Sequence, residues 1–160
     1  MEENRRMKKV SDSQVEQTYV LMPRHINGSG RLFGGQLLSW IDEMAGIVAR
    51  KHSEGSVVTA AIDNLIFKAG ASLDDIVVLI GRITYVGHTS MEVRVDTYVE
   101  NRRGMRQMIN RAYLVMVATD DKESPKLIPG LILDGEGEKA EWESGMRRAQ
   151  LRGIRRKEGF

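Results

Sequence analysis

The spacing of apolar positions changes along the chain, and the changes divide it into elements. Val15 to Met22 reads as a short first strand, followed by a loop from Pro23 to Gly35 broken by Asn27, Gly28, Gly30, Gly34 and Gly35. From Gln36 to about His52 the period becomes helical, with Leu37, Ile41, Met44 and Val48 at i, i+4, i+7 and i+11. Leu38, Trp40, Ala45, Ile47 and Ala49 widen the apolar surface almost all the way round, leaving a polar strip through Gln36, Ser39, Asp42 and Glu43. A helix this apolar must be wrapped by other structure.

The following segments read as strands. Val57–Phe67, Ile76–Val86, Met91–Val99 and Met108–Ala118 are β runs, separated by turns at Gly70–Asp75, Gly87–Thr89 and Asn101–Gly104. Alternation is clearest in the third, which sets Met91, Val93, Val95 and Thr97 on one face and Glu92, Arg94, Asp96 and Tyr98 on the other. Links this short make consecutive strands antiparallel. The expected fold class is α+β, with a curved antiparallel sheet of about five strands wrapped round one long helix. Residues 1–12 are expected to be a flexible N-terminus and 13–131 the folded domain. After Pro129, Gly130, Gly135 and Gly137 read as a linker, and 132–160 as a basic C-terminal tail or helix carrying Arg147, Arg148, Arg152, Arg155, Arg156 and Lys157. No internal repeat is visible.

Composition narrows the function classes. The chain has 160 residues, 41% hydrophobic and 29% charged, as expected for one globular domain. No apolar run approaches the ~20 residues that span a bilayer. The N-terminus carries charges without an apolar segment behind them, so it does not read as a secretory signal. With no cysteine there is no disulfide and no thiolate ligand or nucleophile, which fits a cytoplasmic protein. A net charge of +2 gives no argument for nucleic acid. His25, His52 and His88 have no metal-motif spacing, so no metal and no cofactor are expected.

The chemistry centres on Asp42, a carboxylate within an otherwise apolar helix. It is either the partner of a basic or backbone group, or solvated in a cleft, or functional as a general base or a group that positions a water, because isolated burial costs several kcal/mol. Glu43 points ~100° away and reads as a supporting or solvent-facing residue. Phe33-Gly34-Gly35 leads into the helix. Its glycines admit close backbone approach, and the first helical N–H groups are free to hold a carbonyl oxygen that becomes an oxyanion; a tight turn is the competing reading. Asn27 suits either a local turn bond or a water or carbonyl contact. Gly87-His88-Thr89-Ser90 makes a hairpin turn whose hydroxyls and N–H groups could also meet a ligand. The C-terminal arginines are either a solvated face or a phosphate site.

Taken together, P-x-x-x-N-x-x-G-x-x-F-G-G-x-x-L-x-x-x-D-E-x-A-G over Pro23–His52, VVTAAID at Val57–Asp63, Phe67, GHTSMEV at Gly87–Val93 and VMVATD with Pro129 beyond it resemble the hotdog acyl-CoA thioesterases. The similar group includes the bacterial YciA-type enzymes and the mammalian cytosolic brain-type hydrolase. The resemblance covers roughly residues 15–131. It implies a central helix wrapped by a five-stranded sheet, and protomers paired so that the sheet continues, usually as a trimer of dimers. It also implies hydrolysis of fatty acyl-CoA to fatty acid and coenzyme A. Asp42 then corresponds to the catalytic acid, as base or nucleophile, and Asn27 completes the site from the other protomer. Gly34 and Gly35 match the carbonyl-polarising backbone, and Gly87, His88, Thr89 and Ser90 the coenzyme A channel. Arg147 and Arg148 are candidate phosphate contacts outside the matched pattern. The alternatives are a non-catalytic acyl-CoA-binding hotdog protein and a hotdog hydratase or dehydratase, for which His25 or His52 would face an acid. A nucleic-acid binder using the arginine tail is a weaker one.

Overall fold

A computed structural model describes residues 4–160, the side chain of Asn64 excepted. The elements are β1 (Met7–Lys9), β2 (Val15–Val20), α1 (Gly34–Ser53), β3 (Ser56–Phe67), β4 (Ile76–Val86), β5 (Ser90–Glu100), β6 (Arg106–Thr119), β7 (Gly130–Ile132) and α2 (Gly135–Glu158). Strands β2 to β6 form one antiparallel sheet in the order β2-β4-β5-β6-β3, with β2 and β3 as its edges. The sheet wraps α1, as the order of one helix and then four strands suggests, and this is the hotdog architecture that the resemblance implies.

Helix α1 buries the stripe its spacing predicts. Leu37, Ile41, Met44 and Val48 are at most 1% exposed and pack with Leu79, Val93, Val95 and Leu114 of the sheet in one core. Trp40 stacks on Tyr19 of β2, ring centroids 4.2 Å apart, which fixes the edge strand to the helix. The helix ends where Glu54 turns left-handed and its N–H donates to the Arg50 carbonyl.

The N-terminal end departs from expectation, and the C-terminal one is more tightly packed than its sequence suggests. Residues 1–3 lie outside the described residues, but Met7–Lys9 is not frayed: it pairs in parallel with Gly130–Ile132, which places Gly130 in a strand rather than a linker. Apolar Leu131 is buried by this ribbon. Arg5 ties it to the sheet, donating to the carbonyls of Ile128 and Gly87. Of the two readings of the C-terminal segment, tail or helix, the helix holds. α2 runs along the outer face of the sheet, with Trp142 against Tyr85 at 4.6 Å and Gly145 so close that a Cβ would sit 2.6 Å from the Tyr85 Cβ.

Charge holds α2 in place. The charged face of β5 is buried: Glu92 is 1% exposed and Asp96 0%. Arg148 donates twice to Glu92, at 2.7 and 3.0 Å, and lies over the Tyr113 ring. Arg152 bridges Asp63 of β3 (2.8 Å) and Glu92 (3.0 Å), and Arg155 adds a second bond to Asp63. Arg94 and Arg111 neutralise Asp96, and Arg94 also meets Glu141 of α2. Carboxylates this buried are tolerated because each has a guanidinium partner. No helix among the described residues is long and apolar enough to cross a membrane.

Two predictions follow from this packing. Removing the Glu92 charge (Glu92→Gln) leaves Arg148 and Arg152 half-paired and should cost about 3–5 kcal/mol in urea unfolding; an unchanged midpoint would contradict the anchoring role. His52 is 0% exposed, its Nε2–H donates to the Pro129 carbonyl (2.9 Å), and its Nδ1 has no partner. Burial lowers its pKa, the Pro129 bond opposing and Lys8 and Arg5 adding to the shift. The unfolded chain therefore takes up a proton that the folded one resists. Stability is full above about pH 6.5 and falls as pH drops from there towards the lowered folded value. Thermal melts between pH 7.5 and 5 should show that loss, with a shallower slope in His52→Gln; His25, lowered in the same sense by desolvation and then Arg24, supplies what remains.

Candidate functional site

The sheet does not close round α1. Gly35, Ser39, Asp42, Glu43 and Arg50 stay exposed, with Leu38, Gly46 and Ile47 half-covered. Asp42 is therefore not sealed: it opens to solvent in the protomer, as a carboxylate solvated in a cleft would. Its Oδ1 accepts a 2.7 Å bond from the Thr59 hydroxyl of β3, and no guanidinium neutralises it among the described residues. Asp42 and Thr59 share a cavity of about 370 Å³ with Glu43, Gly46, Ile47, Arg50, Val57 and Met116.

Thr59 was not singled out from the sequence. Its direction depends on a bulge at Ala60, because Thr59 pairs with Met116 and Ala61 with Val115. Met116 is buried in the core, so Thr59 faces α1; the extra residue then turns Ala61 and Asp63 to the outer face, where Asp63 meets Arg152 and Arg155. Plain alternation would have put Thr59 and Asp63 on the same side.

At the other end of α1, Asn27 closes the preceding turn. Its Oδ1 accepts from the N–H of Ser29 (2.9 Å) and of Arg31 (3.2 Å), so the local-turn reading holds for that atom. Its Nδ2 makes no bond among the described residues. The first helical hydrogen bonds run from Gln36 and Leu37 to the Phe33 carbonyl, leaving the N–H groups of Gly34 and Gly35 free for an acceptor. Asn27 and Gly34 line a second cavity, about 360 Å³, with Leu32, Leu37, Phe67 and Ile109.

The two cavities are separate in the protomer. Gly35 and Asp42 are seven residues apart, a rise of about 10.5 Å. One carbonyl cannot touch both, so their nearness along the helix does not make a site within one chain. Asp42–Thr59 and Asn27–Gly34–Gly35 are two separate clusters.

The remaining candidates scatter. Gly87-His88-Thr89-Ser90 is a hairpin turn closed by the Gly87 N–H on the Ser90 carbonyl, with His88 exposed. Arg147 is exposed, whereas the guanidinium of Arg148 is spent on Glu92; the phosphate reading of Arg148 is corrected accordingly. His25 uses Nδ1 to accept the Met22 N–H (3.0 Å) and lies edge-on to Trp40, and His52 bonds Pro129, so neither faces an acid. No group of three or more metal-ligating side chains occurs among the described residues.

Comparison with known proteins adds an independent line. The Thioesterase superfamily profile matches residues 29–105. The Bacillus subtilis acyl-CoA thioester hydrolase YkhA is 33% identical over 91% of this chain and 86% of its own length. The mouse acetyl-coenzyme A thioesterase is 30% identical, but the chain spans only 26% of it. A Staphylococcus aureus acyl-CoA hydrolase solved with butyryl coenzyme A and coenzyme A superposes with a TM-score of 0.91 at 32% identity, over 96% of this chain and 94% of that one. Variants of the same enzyme with an asparagine, an aspartate or a threonine replaced by alanine have also been solved. An apo-hexameric acyl-CoA thioesterase gives a TM-score of 0.90 at 37% identity, over 94% and 97% of the two chains.

Proposed function

The chain belongs to the thioesterase superfamily of hotdog proteins, and on that premise we propose that it hydrolyses acyl-coenzyme A thioesters at a site built from two copies of itself. The observation that carries the reading is the Asp42–Thr59 pair. It is a solvent-open carboxylate without a cationic partner among the described residues, held by one hydroxyl on the uncovered face of the central helix.

Two features support assembly. The two clusters lie too far apart to serve one substrate within a protomer. Edge strand β3 also presents an unpaired backbone edge with Val58, Ile62 and Ile66 exposed, a surface that a second copy covers by continuing the sheet. The hexameric relative supports higher assembly, read here as a trimer of dimers. Asn27, Gly34 and Gly35 of one copy then face Asp42 and Thr59 of the next.

The chemistry needs little else. The free N–H of Gly35, at the positive end of α1, donates to the thioester oxygen as it gains charge. Asn27 offers its Nδ2 to the same oxygen or to the water. Thr59 occupies Oδ1 of Asp42 and leaves Oδ2 for a water. Oδ2 takes the water's proton, the hydroxide adds to the carbonyl carbon, the C–S bond breaks and the departing thiolate is protonated. A thiolate is a good leaving group, so one carboxylate suffices where an amide would need more. The Staphylococcus variants support this reading, because asparagine, aspartate and threonine are the three residue types that this geometry assigns to the work.

Asp42→Asn should lower kcat for thiol release about 10²–10⁴-fold while coenzyme A still binds; near-wild-type turnover would sink the assignment. Thr59→Val, which keeps shape and loses the hydroxyl, should cost about tenfold in kcat. An unchanged kcat would show that the hydrogen bond does not orient the base.

A further inference from the structure

Asp63 takes no part in the chemistry, yet it is anchored with unusual care. It is 7% exposed and accepts one bond from Arg152 and one from Arg155, each 2.8 Å. Arg152 also donates to Glu92 (3.0 Å), so it ties edge strand β3 to β5, the middle strand of the sheet, across the intervening β6. Glu92 is held in turn by the Thr84 hydroxyl (2.6 Å) and by Arg148. Stability alone does not call for buried ion pairs, because apolar side chains of similar volume cover a sheet as well or better. What β3 does need is a fixed register. It has one neighbour in the sheet, and its ladder with β6 is broken twice, between Thr59 and Ala61 and between Asp63 and Ile66. Ala61–Asp63 is thus a three-residue stretch with an irregularity at each end. A slip of one residue there would turn every side chain to the other face and withdraw Thr59 from Asp42.

We infer that Asp63 is a positioning residue: clamped by Arg152 and Arg155, it fixes the register of β3 and so holds the Thr59 hydroxyl on Oδ1 of Asp42. The inference rests on the thioesterase reading and extends the working parts of that site to the far face of the sheet. Helix α1 is set by the core, so the 2.7 Å bond between Thr59 and Asp42 depends on where β3 stands. Asp63 is not among the residues that line the Asp42 cavity. Four residues of strand separate it from Thr59, about 13 Å along the chain, which exceeds the distance of about 8 Å over which salt screens exposed charges at physiological strength. Its charge therefore reaches Asp42 weakly, and its hold is transmitted by the backbone through the bulge at Ala60. A second copy seated on the free edge of β3 would itself need that strand in one register.

The test is a double-mutant cycle in kcat for thiol release from butyryl-coenzyme A, run where circular dichroism shows every variant folded. Asp63→Asn should lower kcat about five- to tenfold and change KM by less than about twofold. In a Thr59→Val background the same substitution should lower kcat no further, because the hydroxyl it positions is gone. Asp96→Asn removes a buried carboxylate from the same layer, but its partners Arg82, Arg94 and Arg111 lie on β4, β5 and β6. It should weaken the fold and leave kcat within about twofold of wild type. Arg155→Gln deletes one of the two bonds to Asp63 from a more exposed position; it should give an intermediate loss, and it stands in if Asp63→Asn does not fold. Amide exchange over residues 57–61 should quicken in both clamp variants. Losses that multiply in the double variant, wild-type kcat in Asp63→Asn, or an equal loss in Asp96→Asn would overturn the positioning role. Unchanged amide exchange over 57–61 would overturn the clamp whatever the turnover. Wild type that releases no thiol would instead overturn the hydrolase reading itself.

Discussion

The sheet covers α1 on one side and stops. That incomplete wrapping is the constraint on which the rest depends. Burial of Leu37, Ile41, Met44, Val48 and their neighbours stabilises the helix against the sheet by roughly 1.5–3 kcal/mol for each fully buried large side chain. The same rigid rod carries Ser39, Asp42, Gly46 and Arg50 on its uncovered side. A functional carboxylate on a fully wrapped helix would be neutralised or ion-paired. On a helix left open it stays accessible while its backbone is held by the core, the combination of rigidity and access that a catalytic group requires.

The opposite face of the sheet solves a different problem. Glu92, Asp96 and Asp63 lie where a second layer must cover them, and α2 supplies it with arginines rather than apolar side chains. Such pairs add less net stability than their number implies, because both partners lose water. Their main effect is positional: Arg152 can bond Asp63 and Glu92 together only if α2 lies at one height and one angle on the sheet. This layer lies largely beyond the residues that match the superfamily profile, which end at 105.

Legibility in the sequence followed period and proximity. The helical spacing through Leu37 and Val48, the order of the strands and the hairpin at Gly87–Ser90 could all be read because each depends on neighbours a few residues away. Asp42 stood out as polar on an apolar helix, and a solvated cleft was one of its readings; choosing among them needed the structure, since how far a sheet wraps is a tertiary quantity. The burial of the outer face of β5 was not legible for the same reason: alternation tells two faces apart, but it does not say that a distant helix will bury the charged one. Nor did the polar composition of Met7–Lys9 disclose that a three-residue ribbon would close on Gly130–Ile132 from the far end of the chain. Thr59 was hidden by a local irregularity, one inserted residue that reverses the parity as far as Asp63, after which a second register shift follows.

That irregularity ties the two faces together. Before Ala60, β3 sends Thr59 inward to Asp42; after it, Asp63 goes outward to Arg152 and Arg155. β3 is an edge strand with one neighbour in the sheet, the kind of strand that frays and slips most readily. The Asp63 pairs pin it from the outer layer four residues from Thr59, and the bulge converts that outer anchor into a fixed height for an inner hydroxyl. The C-terminal helix therefore bears on the geometry of Asp42 through a single strand, without touching the cavity in which Asp42 stands.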